Sequence, residues 1–129
     1  MTGLEGKEFV YLACPYSHPK KAVMAERFRL ANIVAGQLMQ KDYFVFSPIS
    51  HSHPIAEVCN MDAIDHEFWL RQDAAIFIHC EIMMIVDIDG WRESYGVGCE
   101  LEWAKTYDMP VVLVHVDGGR ITGFSDYEF

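Results

Sequence analysis

The sequence predicts a small doubly wound α/β fold, Rossmann- or flavodoxin-like, in which a parallel sheet carries helices on both faces. Three observations predict it. Four short apolar runs, Phe9 to Cys14, Tyr43 to Phe46, Ile82 to Val86 and Val111 to Val116, are rich in β-branched and aromatic residues. Between them, apolar residues recur at helical spacing over stretches long enough to form helices. The resulting order β-α-β-α-β-α-β calls for right-handed crossovers between parallel strands. With 129 residues the chain suffices for one core, so one domain is expected over residues 1–129.

Taken in order, the first strand ends at Pro15, and Tyr16-Ser17-His18-Pro19 reads as a turn. Pro19 is expected in the first turn of the next helix, with Ser17 or His18 near its cap. From Lys20 to about Lys41 the positions Met24, Phe28, Ala31, Val34, Ala35 and Leu38 form one apolar stripe, and Asp42 ends it. The second strand leads into Ser47 to Pro54, which reads as a loop rich in Ser, His and Pro. A second helix is expected from Asn60 to about Cys80, with Ile64, Phe68, Trp69, Ala75 and Ile76 apolar. The continuous run Ile82 to Val86 suits a strand covered on both faces. A third helix is expected from about Val97 to Tyr107, stopped by Asp108 and Pro110. Val111 to Val116 is the fourth strand, Gly118-Gly119 breaks it, and the tail from Arg120 to Phe129 shows no periodicity.

Hydrophobic residues make up 51% and charged residues 22% of the chain, a globular balance. A net charge of −9 argues against a nucleic-acid polymer as partner, because that affinity rests on neutralising phosphates with Lys and Arg. A single nucleotide needs only one or two local donors and stays open. Cys14, Cys59, Cys80 and Cys99 form no Cys-x-x-Cys pair and read as reduced thiols. No apolar run reaches membrane-spanning length and no signal-peptide core is evident, so a soluble cytoplasmic protein with no membrane partner is expected.

Candidate chemistry centres on the segment from Ile82 to Ala104. A buried strand is followed by a polar loop holding Asp87, Asp89, Trp91, Arg92, Glu93 and Ser94, and then by a helix opening at Gly96 and Gly98. In open α/β sheets ligands sit at the carboxyl ends of the strands, where such loops lie. Gly96 and Gly98 allow close backbone approach, and a new helix N-terminus offers free N–H groups to an anion. Glu100 falls in the first turn, where a carboxylate either faces the cleft or merely complements the helix dipole. Topology brings Tyr11 to Ser17 and Ser47 to His53 to the same edge, with Asp73 approaching from the second helix. His51 and His53 with Asp87 or Asp89 could ligate a metal, but their spacing supports no known site, and no metal or other cofactor is expected. Cys14 or Cys99 as a nucleophile competes with a plain buried thiol. Arg29 lies off the apolar stripe, where it is either solvated or a phosphate ligand. Trp91 is the best stacking platform among the aromatics.

Tyr11-Leu-Ala-Cys-Pro15, Arg27-Phe-Arg-Leu-Ala-Asn32, Phe46-Ser-Pro-Ile49, Asp73 and Gly96-Val-Gly-Cys-Glu100-Leu resemble the nucleoside 2-deoxyribosyltransferase superfamily. Cys-Pro-Tyr-Ser, Ser-His-Pro-Ile and Asp-x-x-Gly-Trp-Arg resemble its DUF1937-like branch. The resemblance runs from about Phe9 to Val116. It implies cleavage or transfer of the N-glycosidic bond of a nucleoside or nucleoside 5′-monophosphate. It makes Glu100 the nucleophile, Asp73 the acid/base and Tyr11 the residue that holds the nucleophile. It sets Ser94 beside the sugar or phosphate, the Ser leaning toward a nucleotide. Gly96, Gly98, Pro15, Arg29, Asp87 and Trp91 complete the expected substrate contacts. It also implies a homodimer or homotetramer. A nucleotide-sensing module without turnover and an NAD glycohydrolase stand as alternatives.

Overall fold

A computed structural model describes residues 8–129. Its five-stranded sheet has the order β2-β1-β3-β4-β5, with β1 at Phe9–Ala13, β2 at Phe44–Phe46, β3 at Ile82–Asp87, β4 at Val111–Asp117 and β5 at Arg120–Asp126. The first four strands run parallel. Helices α1 (Lys21–Gln40), α2 (Pro48–Val58), α3 (His66–Phe77) and α4 (Tyr95–Thr106) connect them. This is a doubly wound α/β fold, as the alternation of apolar runs and helical stripes predicts.

Two cores lie on opposite faces of the sheet. Val10, Leu12, Met84, Val86 and Val114 meet Ala31, Val34, Ala35 and Leu38 of α1 and Ile49 of α2. Tyr11, Ala13, Met83, Ile85 and Leu113 meet Phe77 of α3 and Val97 and Ala104 of α4. The period-two alternation of strand side chains makes this division, because each strand sends successive residues to opposite faces.

The elements depart from the sequence expectations in four places. Pro19 lies ahead of α1 rather than in its first turn, and Lys20 is the cap residue without a side-chain cap. His18 contributes instead by accepting the Lys20 N–H at its Nδ1, 3.0 Å away. The expected loop from Ser47 to Pro54 is the front of α2. Ser47 caps it, accepting from the Ser50 N–H at 3.4 Å, and Pro48 takes the first position, where its missing N–H costs nothing. The second predicted helix is shorter. Residues 60–65 form a turn, with Asn60 at φ 55° and Asp62 accepting the Ile64 N–H, and α3 begins after Asp65 caps it. The tail is not irregular, since Arg120–Asp126 pairs antiparallel with β4 as β5. Gly118 (φ 61°) and Gly119 (φ 86°) make the two-residue turn of this hairpin, a conformation in which both central residues need positive φ. From α1, Gln37 clamps the turn, donating to the Gly119 carbonyl at 2.6 Å and accepting from the Ile121 N–H at 3.0 Å.

β1 and β3 are neighbours, but the chain leaves β1 toward β2 and leaves β3 toward β4. The strand order therefore reverses between them, and a crevice opens at their carboxyl ends.

Candidate active site

A cavity of about 70 Å³ lies in that crevice, bordered by Cys14, Tyr16 and Ser17 after β1, Ser52 of α2, His66, Trp69 and Asp73 of α3, and Ser94, Gly96 and Glu100 of the β3–α4 connection. The three chain segments that topology sends to this edge do meet here, with α3 closing the side.

Glu100 and Asp73 are, with Ser47, the buried polar side chains of the described residues, at 5% and 7% exposure. α4 carries Glu100 inward on the same face as Val97 and Ala104. Its Oε2 accepts a hydrogen bond from the Tyr11 hydroxyl, which reaches across from β1. Tyr11 is itself immobilised, with Phe77 edge-on at 4.7 Å and Phe46 tilted at 5.9 Å. Burial raises Glu100 to about 8; the Tyr11 hydrogen bond works against that rise and the nearby Asp73 carboxylate adds to it. Burial likewise raises Asp73 to about 7. The Tyr11 hydroxyl is pushed well above its usual range by burial and by both carboxylates, so it stays a donor. Among the described residues no Lys or Arg lines the cavity. Two buried carboxyls without a cation share protons near neutrality, which is the electrostatic pattern of an acid/base pair.

Ser94 caps α4 by accepting the Val97 N–H at 3.2 Å, and it borders the cavity. Gly96 borders it too, but both glycines belong to the helix rather than to a loop before it. The Gly98 N–H is already bonded to the Ser94 carbonyl at 3.0 Å, so it has no donor left for an anion. Pro15 is fully buried.

Three expected contacts lie elsewhere. Arg29 is exposed and paired with Glu26 at 3.1 Å on the outer side of α1. Trp91 is 4% exposed and packs in the α3/α4 core, edge-on to Tyr127, so it offers no free face for stacking. Its indole N–H donates to Asp87 Oδ1 at 3.0 Å, while Asp87 Oδ2 meets His115 Nδ1 at 2.9 Å. Asp87 is thereby committed to holding the loop after β3 against β4. The Arg27 guanidinium donates to the Ser17 carbonyl at 3.0 Å and the Asp89 carbonyl at 3.4 Å, tying two site loops together, while Arg92 lies over the Trp91 ring at 4.5 Å.

Cys14 is buried and its thiol is raised to about 12 by burial, which rules against a thiolate nucleophile. Cys99 is partly exposed. Among the described residues no group of three His, Cys, Asp or Glu side chains is placed to hold a metal. His51 stacks obliquely on Phe46 and His53 lies against Phe28, so the two histidines point to different surroundings. No helix among the described residues is long and apolar enough to cross a membrane.

Trp69, His66 and Ser52 border the cavity without having been singled out as site residues from sequence. Trp69 sits among apolar helical positions and reads as core; its indole N–H donates to the Asp62 carbonyl at 2.8 Å, which fixes the turn before α3. Ser52 lies in the stretch that topology sends to this edge, but neither its residue type nor that of His66 separates it from ordinary polar residues.

The profile of a family described as a domain of unknown function, DUF1937, matches residues 8–116, from β1 through all but the last residue of β4. β5 lies beyond the matched range. A search among curated proteins finds no match.

Proposed function

The chain belongs to the DUF1937 family, and from that premise we propose that it cleaves or transfers the N-glycosidic bond of a (deoxy)nucleoside or nucleoside 5′-monophosphate through a covalent glycosyl-Glu100 intermediate. One observation carries the proposal: a buried carboxylate held by the Tyr11 hydroxyl faces the same small cavity as a second buried carboxyl, Asp73. The likeness of these residues to the nucleoside 2-deoxyribosyltransferases supports the same assignment.

In the first step Glu100 attacks the anomeric carbon as a carboxylate. The bond from that carbon to the base nitrogen breaks, its electron pair leaves with the base, and Asp73 supplies the proton the base takes up. A glycosyl ester on Glu100 results. In the second step water or another base attacks the same carbon, the ester bond returns its electrons to Glu100, and Asp73 accepts the incoming proton. Tyr11 steadies Glu100 in its ionised form by donating a hydrogen bond to it. The productive arrangement has one proton on the pair, carried by Asp73. With Asp73 at about 7 and Glu100 at about 8, the single-proton state is populated near neutral pH with the proton resting mainly on Glu100, so the productive form is the minor tautomer, in which that proton has passed to Asp73 and Tyr11 holds Glu100 ionised.

The test is free-base release from ribo- and deoxyribonucleosides, their 5′-monophosphates and NAD, with and without an acceptor base. Release by wild type that is abolished in Glu100→Ala supports the glycosyl-enzyme, and a new nucleoside formed with the acceptor distinguishes transfer from hydrolysis. Absence of release from every substrate, with one nucleotide raising the melting temperature of both proteins, moves the assignment to a sensing module.

A further inference from the structure

We propose that a second cavity, of about 580 Å³ between α1, α2 and the turn at 59–65, is a subsite for a planar, uncharged ring bearing an N–H or O–H donor, read by Tyr16 through His53 and Glu57. The glycosidic reading supplies only what fills the neighbouring catalytic cavity; the second cavity and its chemistry stand without it.

The two cavities adjoin. Tyr16 and Ala63 border both. Their sizes differ. The catalytic cavity is the smaller, at about 70 Å³. The second has the volume of an ordinary small-molecule site.

The lining sets the ligand class. Met24, Ala25, Ala56, Met61 and Ile64 make most of the wall apolar. Methionine thioethers pack adaptably and make favourable contacts with aromatic rings. Lys21 is the one Lys or Arg among the described lining residues and is outnumbered by Glu57 and Asp62, so the cavity does not favour an anion, and its apolar wall favours an uncharged ring.

The polar end is a hydrogen-bonded chain. The Tyr16 hydroxyl meets His53 Nδ1 at 2.5 Å, and His53 Nε2 meets Glu57 Oε2 at 3.3 Å. Phe28 stacks on the imidazole at 4.0 Å and 19°, and Tyr16 abuts it edge-on at 5.7 Å, so the ring cannot swing away. Glu57 accepts only, so a neutral His53 donates Nε2–H to it and is left with a bare Nδ1. Tyr16 then donates its proton to Nδ1 and keeps its oxygen lone pairs for an incoming donor. Burial raises the Tyr16 hydroxyl, with Glu57 adding to the effect, which keeps that proton in place. Tyr16 is the specificity-determining contact, and His53 and Glu57 are positioning residues.

Calorimetric titration with adenine, theophylline and caffeine tests this on the full chain. Adenine and theophylline carry ring N–H donors, and caffeine has its donors methylated. Adenine or theophylline is expected to bind with a Kd of about 0.1–1 mM, and caffeine at least tenfold more weakly. Ala25 is exposed, so Ala25→Trp projects over the cavity without disturbing the core, and it is expected to weaken binding at least tenfold. Tyr16→Phe and His53→Ala are each expected to weaken it several-fold, with the double variant no worse than either, because they break one chain. Glu100→Gln is expected to bind normally. In turnover, His53→Ala should raise KM and leave kcat within about twofold. Equal affinity for caffeine, indifference to Ala25→Trp, or the absence of binding by any of the three compounds overturns the subsite. Loss of binding in Glu100→Gln places the ring in the catalytic cavity and overturns it as well. None of the binding outcomes depends on glycosidic turnover, whose own test is base release by Glu100→Ala.

Discussion

Two acidic groups sit at the carboxyl ends of this sheet, and they are built in opposite ways. At the reversal between β1 and β3, Glu100 and Asp73 are buried together without a cation, and one hydroxyl steadies Glu100. Some residues away, Asp87 is half-exposed and has a donor or cation for each oxygen: the Trp91 indole N–H on one and His115 on the other. His115 continues the chain to Ser125 Oγ at 2.7 Å and so binds β5 to the loop after β3. A carboxylate whose oxygens are both matched contributes to architecture. A buried pair left unmatched keeps its protons mobile near neutrality, which costs stability and makes chemistry possible. The Asp87–His115–Ser125 order has the residue types of a hydrolytic triad. Here, though, Ser125 lies on an exposed edge strand, outside the cavity that holds Glu100.

Substitution breaks or sharpens this contrast. The largest effect is expected for Glu100→Ala, which should lower base release by about 10³-fold or more, whereas Asp87→Ala should keep it within about threefold. Asp73→Asn removes the proton donor and should lower kcat by about 10²–10³-fold, with the smallest loss for substrates whose leaving base is already a good one. On stability the ranking reverses. His115→Ala removes the partner of Asp87 and the link to β5, and should cost about 1–2 kcal/mol, a fall in Tm of about 3–6 °C with base release unchanged.

The pH dependence follows from the same pair. Both carboxyls bind protons more tightly folded than unfolded, so the folded protein holds more protons than the unfolded chain from about pH 4 up to about 8. Their contribution to stability is complete below the unfolded values and is lost as pH rises through about 7 to 8. Glu100→Gln cannot ionise and still accepts the Tyr11 hydroxyl. Its Tm should match wild type near pH 5 and exceed it by ~5 °C at pH 9, as followed by thermal melts across pH. A gap that stays constant with pH would mean that Glu100 is not buried as a raised carboxyl. Base release should follow a bell centred between about 7 and 8, falling where the pair has two protons or none.

Much of the fold was legible because the parallel strands are covered on both faces and read as continuous apolar runs, as Ile82 to Val86 does. β5 was not legible. It is an edge strand, its side chains are mostly exposed, and its place is set by backbone pairing and by Gln37 from far along the chain. The Gly118-Gly119 pair carried the signal, as a hairpin turn rather than a strand end. The front of α2 was hidden by its prolines, although Pro48 directly after Ser47 is a helix-start pattern. At the site, Glu100, Asp73, Tyr11 and Ser94 were locatable because each lies on an element whose position the topology fixes. Trp91 and Arg29 were not, since loop exposure and helix-face partners depend on contacts that sequence spacing does not encode. Gly98 shows a similar limit. A glycine pair near a helix start does not reveal whether its N–H groups are free or already inside the first turns.

Pro54 lies inside α2, the helix that walls both cavities. Having no N–H, it leaves the carbonyl of Ser50 without its rung four residues on. The missing rung falls between Ser52 and His53, the residues that face the two chambers. A helix with a gap in its ladder opens at lower cost than its intact neighbours, so deuterium should enter the amides of α2 sooner than those of α1 or α4. The wall common to the two chambers would then be the one whose backbone breathes most readily.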